Sequence, residues 1–138
     1  MDNISKRILA EKENVEIALG NLSDTMARKE KLVIELSAIA TFLHNIYNGI
    51  ENILKQILQE KNIKIHKSDA WHKDILNTPV SKGIISEGLS IKLYECLTFR
   101  HFFIYAYGFM LEEAQISDLA NKIPVVWLRF LSEIQERR

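Results

Sequence analysis

The chain has 138 residues, 47% hydrophobic and 26% charged, enough for one domain that buries roughly two thirds of its unfolded surface without metal or disulfide. Eighteen basic residues balance eighteen acidic ones, which excludes a global positive field for holding nucleic acid and leaves only local clusters for that purpose. Two prolines and five glycines are few for a β-rich or loop-rich protein and point to helices, in a single domain spanning residues 1–138.

From Asn3 to about Arg28, the apolar residues Ile4, Ile8, Val15, Leu19 and Leu22 recur at helical spacing among charged ones, which predicts an amphipathic helix. A charged connection, Ala27 to Lys31, follows. The next pattern runs through Leu36, Ile39, Leu43, Tyr47, Ile50, Leu54, Ile57 and Leu58 to about Asn62 with no proline to stop it, and predicts a long helix. Residues 63–88 read as a crossover: Asn77-Thr78-Pro79 and Ser81-Lys82-Gly83 are turn signals, and only Asp69 to Leu76 is left for a short helix capped by Ser68 or Asp69.

The chain restarts at Ser86-Glu87-Gly88, and Leu89, Leu93, Cys96 and Leu97 lead helically into Phe99-Arg100-His101-Phe102-Phe103-Ile104-Tyr105-Ala106-Tyr107-Gly108, where Gly108 is expected to end or bend the helix. The last helix is expected from about Glu112 to Glu136, with Leu119, Ile123, Val126, Trp127, Phe130, Leu131 and Ile134 inward and a kink or division at Pro124. Four major helices with one long crossover make an all-α, up-and-down bundle of four to five helices.

Cys96 is the single cysteine, so no internal disulfide forms, and its apolar helical surroundings suit a reduced, buried thiol. The N-terminus lacks the apolar core of a signal peptide, and no run approaches the ~18 apolar residues of a membrane span. A soluble cytoplasmic protein is expected. His66 and His72, with Asp69 and Asp74 nearby, match no zinc spacing and have no supporting cysteine, so neither metal nor cofactor is expected. Trp71-His72 reads as an anchor for the crossover, and His44 as a core or interface histidine.

No glycine loop for phosphate and no Gly-x-Ser-x-Gly turn occurs, which leaves residues 99–108 as the place for chemistry. On a regular helix Arg100 and Tyr107 fall within about 20° of each other, whereas Arg100 and Tyr105 diverge by about 140°. Either the helix breaks there or a second copy contributes. The rings of this stretch exceed what one helix face can bury, and a second copy is the simplest cover for them. Arg100 suits a phosphate of RNA, with tyrosines stacking on bases. An ion pair of Arg100 with Glu51 or Glu95 is an equally good reading.

Residues 99–108 resemble the signature of the HEPN superfamily, and of its HepT-like ribonuclease toxins in particular: Arg, four residues, His, one residue, Tyr. Ala70 to Leu76 and Tyr47 to Leu54 also resemble stretches of one HepT-like branch, so the similarity covers almost the whole chain in order. The resemblance implies an all-helical HEPN-like bundle that forms a homodimer and cuts RNA without metal. Arginine would stabilise charge on the phosphate, and histidine would handle the proton of the ribose hydroxyl or leaving oxygen. It also implies a partner, an antitoxin of the MNT nucleotidyltransferase type that silences the toxin by AMPylation of the signature tyrosine. By position, Arg100 takes the arginine role and Tyr107 the modified tyrosine, while His101, Asn48 and Glu51 are candidates for RNA binding or cleft support.

One position departs. The family histidine falls on Tyr105, and a phenol titrating near 10 is a poor base at neutral pH, where imidazole titrates near 6.5. His101 points about 100° away from Arg100 and is a weak replacement. A disarmed laboratory variant, a natural member with altered activity, and a tyrosine activated by Arg100 all fit. Impaired catalysis is expected, and the alternative function is a noncatalytic HEPN dimer that binds RNA, a nucleotide or a partner protein.

Overall fold

The computed structural model describes residues 3–29, 32–64, 71–105 and 113–137. Among these, five helices and no strand occur: α1 (Asn3–Met26), α2 (Val33–Glu60), α3 (Trp71–Ser81), α4 (Glu87–Tyr105) and α5 (Glu113–Arg137). The all-α bundle expected from the periodicity is therefore the fold.

α1 buries Ile8, Val15, Ala18 and Leu22, as its spacing requires, and lies antiparallel along α2. Glu11 Oε1 accepts from Asn52 Nδ2 at 3.3 Å. The two backbones approach closely at Gly49, where a Cβ would overlap Val15 Cγ2, so only glycine permits this packing. α2 is the core helix: Ile39, Ile46, Ile50, Ile53, Leu54 and Ile57 are fully buried. Leu32 precedes it in place of a hydrogen-bonding cap residue, and Glu35 reaches back to accept from the Leu32 N–H at 3.0 Å, which satisfies a main-chain donor at the helix start.

α2 ends in a Schellman motif. Asn62 takes the left-handed conformation at φ 57°, its N–H bonds to Gln59 O, and the Ile63 N–H bonds to Leu58 O at 2.9 Å. α3 closes the same way: Gly83 has φ 74°, its N–H bonds to Val80 O, and the Ile84 N–H bonds to Pro79 O at 2.8 Å. Ile84 and Ile85 are then buried in the core, which pins the turn into α4.

Two expectations need correction. The crossover is not a loop with a helix ending at Leu76: α3 runs on through Asn77-Thr78-Pro79 to Ser81. Pro79 is buried beside Ile75 and Leu76, and this burial, with the closure at Gly83, outweighs the one hydrogen bond proline forfeits. Pro124 does not divide the last helix either, and α5 is continuous through it. Its ring faces solvent, while Ile123, Val126, Trp127 and Phe130 hold the helix to the core. The expected caps Ser68 and Asp69, together with His66, Gly108 and Glu112, lie outside the described residues.

Candidate functional site

α4 is the helix that leads to the candidate stretch at residues 99–108, and its start is fixed by three side chains. The Ser86 hydroxyl donates to Glu133 Oε2 at 2.9 Å and accepts from the Leu89 N–H at 3.2 Å and from Arg129 at 3.1 Å. Arg129 Nε also donates to Glu133 Oε2 at 3.0 Å, and the Ser86 N–H donates to Glu133 Oε1. Partial burial pushes the Glu133 carboxyl up, but the hydrogen bonds from Ser86 and Arg129 outweigh it and hold the group below its ordinary range. Gly88 leaves room for the guanidinium, which would stand 2.9 Å from a Cβ there.

Along α4, Leu89, Leu93 and Cys96 face the core, whereas Ile91 and Tyr94 are exposed. Burial pushes the Cys96 thiol up to about 12, with Glu95 adding to the effect. Cys96 is therefore a protonated core thiol, with none of the thiolate character a nucleophile needs.

Arg100, His101 and Tyr105 lie on the last turns of α4, where the backbone is helical and the description does not extend to their side chains. Tyr107 lies outside the described residues. A pairing of Arg100 with Glu51 or Glu95, and the anchoring roles of Trp71 and His72, fall under the same limit.

α2 supplies the polar groups that are described. His44, Asn48, Glu51 and Lys55 share one stripe of about 60° on a helix that is otherwise mostly apolar. Asn48 Nδ2 and His44 Nε2 stand at hydrogen-bond distance, 2.9 Å apart, which couples the orientation of the carboxamide to the tautomer of the imidazole. Glu51 is only 3% exposed and is joined by Lys55 at 3.5 Å. A buried carboxylate is tolerated when a cation and hydrogen bonds accompany it. The sequence reading named Asn48 and Glu51 but missed the His44–Asn48 pair, although their spacing of four on a helix is the signal that would have found it.

The two helices bring these sets to comparable heights. α4 starts beside Glu133 of α5, and Glu95 acts electrostatically on Lys122, so α4 and α5 are antiparallel. Leu131, Ile134 and Gln135 of α5 line a groove with Glu60 at the end of α2, so α4 begins near the C-terminal end of α2. The helical rise puts Arg100 about 20 Å from the start of α4, and Glu51 and His44 about 14 and 24 Å from the end of α2. Among the described residues no three of His, Cys, Asp and Glu gather as metal ligands, and no helix is long and apolar enough to cross a membrane.

Comparison with known proteins agrees with the resemblance. A sequence family described as HepT-like protein matches residues 38–138, from α2 through α5. No curated protein and no solved structure matches the chain.

Proposed function

Because the chain belongs to the HepT-like protein family, we propose that it is the toxin subunit of a toxin–antitoxin pair, built on an RNA endoribonuclease site that uses no metal. The observation that carries this reading is the family match itself, which spans residues 99–108 together with the α2 stripe. In the proposed site Arg100 stabilises charge on the scissile phosphate. His101, Asn48 and Glu51 support the cleft, and a homodimer joins two such sites. Tyr107 is the proposed target of AMPylation by an MNT-type nucleotidyltransferase antitoxin, and the modification would block the cleft.

The proton-transfer position holds Tyr105, so the chain as it stands is weakly catalytic. The Tyr105→His variant tests this: RNA cleavage and growth arrest should rise by about a hundredfold to ten-thousandfold, the usual worth of general acid–base help. Equal activity in the two forms would overturn the assignment of position 105. Absence of cleavage in both would favour the second reading, a noncatalytic HEPN dimer that binds RNA, a nucleotide or a protein, for which the observation is Tyr105 itself. Mass spectrometry of the chain coexpressed with such a nucleotidyltransferase tests the partner, with added AMP mass expected on Tyr107.

A further inference from the structure

A groove of about 310 Å³ runs between α1 and α2. Its walls are carboxamides: Asn14 and Asn21 from α1, and Asn45, Asn48 and Asn52 from α2. Of the six asparagines in these two helices, five line this one groove. Asparagine is a poorer helix former than alanine, and Asn14, Asn21 and Asn45 are exposed, so packing does not account for their choice. Gly49, where the two helices approach closely, lines the groove as well. Half of its wall comes from α1, which precedes the residues that the family match covers.

Its chemistry selects the ligand. Among the described lining residues Glu11 alone is charged, so the groove repels phosphate and suits a neutral group rich in both donors and acceptors. A carboxamide presents one donor beside one acceptor and so pairs with a nucleobase edge; adenine offers that pair at N6/N7 on a purine, whose two fused rings give more surface for stacking than a pyrimidine. Phe42 lines the end where Asn21 stands, and Ile17, 63% exposed, lines the α1 wall about one turn further along, so a flat ring has apolar surfaces within the groove to stack on. Asn45 to Asn52 spans about 10 Å, the reach of only about three extended peptide residues but ample for one base and its ribose. Asn48 belongs to both the groove and the His44 pair, which makes the groove continuous with the α2 stripe.

We propose that the α1–α2 groove binds an unpaired adenine base of the RNA substrate, an inference that rests on the ribonuclease reading for the source of the base and on the groove alone for its chemistry. The phosphate is held elsewhere, and the groove reads the base.

The full chain is titrated with adenosine, cytidine, uridine and a blocked triglycine peptide, none of which carries phosphate, and the asparagine side-chain amides are followed by NMR. Adenosine should shift the groove amides and bind more tightly than the other three. Asn45→Ala and Asn21→Ala, at exposed positions, should each weaken adenosine about tenfold with the melting temperature kept. Equal response to all nucleosides, stronger binding of the peptide, or an adenosine affinity indifferent to both variants would overturn the proposal. Cleavage is not part of the readout, so an inactive site leaves the result intact, and cleavage without an adenosine response sinks this inference alone.

Discussion

At its N-terminal end α4 is held by Ser86, Arg129 and Glu133, where one hydroxyl satisfies its single proton and both lone pairs within the protein. At its other end the same helix carries Arg100, His101 and Tyr105, the residues that the proposed function assigns to the RNA site. The first end is polar groups made inert by mutual satisfaction. The second carries the residues to which the proposed function assigns chemistry, at a height along the bundle comparable to that of Glu51 and His44 on α2. On the proposed assignment, the structural network and the chemical groups stand about 20 Å apart along one helix, so a substitution at one end should leave the other's property alone.

The sharpest way to break that separation begins at the chemical end. In the Tyr105→His background, Arg100→Ala should lower RNA cleavage by about a hundredfold to a thousandfold, the usual effect of removing one group that stabilises transition-state charge, while the urea midpoint stays unchanged. A loss of stability equal to the loss of activity would return Arg100 to the ion-pair role.

Between the two ends, Gly49 tests the scaffold that carries the α2 stripe. Gly49→Ala forces a methyl into Val15 Cγ2, and overpacking of this kind should cost about 1–3 kcal/mol, read as a lowered urea midpoint with an unchanged slope. The paired variant Gly49→Ala with Val15→Ala should recover part of the loss, because it removes the overlapping group.

At the structural end, Glu133→Gln should cost about 1–2 kcal/mol at neutral pH, since it weakens hydrogen bonds to a charged carboxylate. The native carboxyl titrates below its ordinary value of 4.5, so its contribution is complete above the unfolded value and fades as the pH falls through the folded one. The difference in stability between the native chain and Glu133→Gln should therefore be flat above about pH 5 and shrink below it. Cleavage by the Tyr105→His form should be indifferent to this substitution at temperatures where both stay folded.

What the sequence disclosed follows the same division. Periodicity located α1, α2 and α4 to within a few residues, because one face of each buries Ile, Leu and Val at a spacing no other structure accommodates. It failed at Asn77-Thr78-Pro79, where local turn preference lost to the burial of Ile75, Leu76 and Ile84. It was silent about Ser86, Arg129 and Glu133, since residues 47 apart in the chain carry no local mark of meeting. Periodicity would put Arg100 and Tyr107 on one face only if the helix stayed regular to Tyr107, which lies outside the described residues; their roles came from the resemblance, and a helix pattern alone left the ion pair just as good. The His44–Asn48 pair was legible as a spacing of four, but the apolar neighbours Leu43 and Ile46 fit a core histidine equally well.

The smallest expected effects come from the two Schellman caps, which differ in the residue placed at the left-handed position: Asn62 after α2 and Gly83 after α3. A Cβ at positive φ collides with its own backbone, and asparagine offsets part of that strain by local hydrogen bonding whereas alanine does not. Gly83→Ala should therefore cost about 1 kcal/mol and Gly83→Asn about half as much. Space is not at issue, because nothing lies within 4 Å of a Cβ at Gly83. Asn62→Gly should change stability by no more than about 0.5 kcal/mol, as relief of strain in the folded state is balanced by the added freedom of the unfolded chain. If Gly83→Ala proves no worse than Gly83→Asn in urea, backbone strain is not what limits that turn, and the buried Ile84 and Ile85 beside it hold the entry to α4 by packing alone.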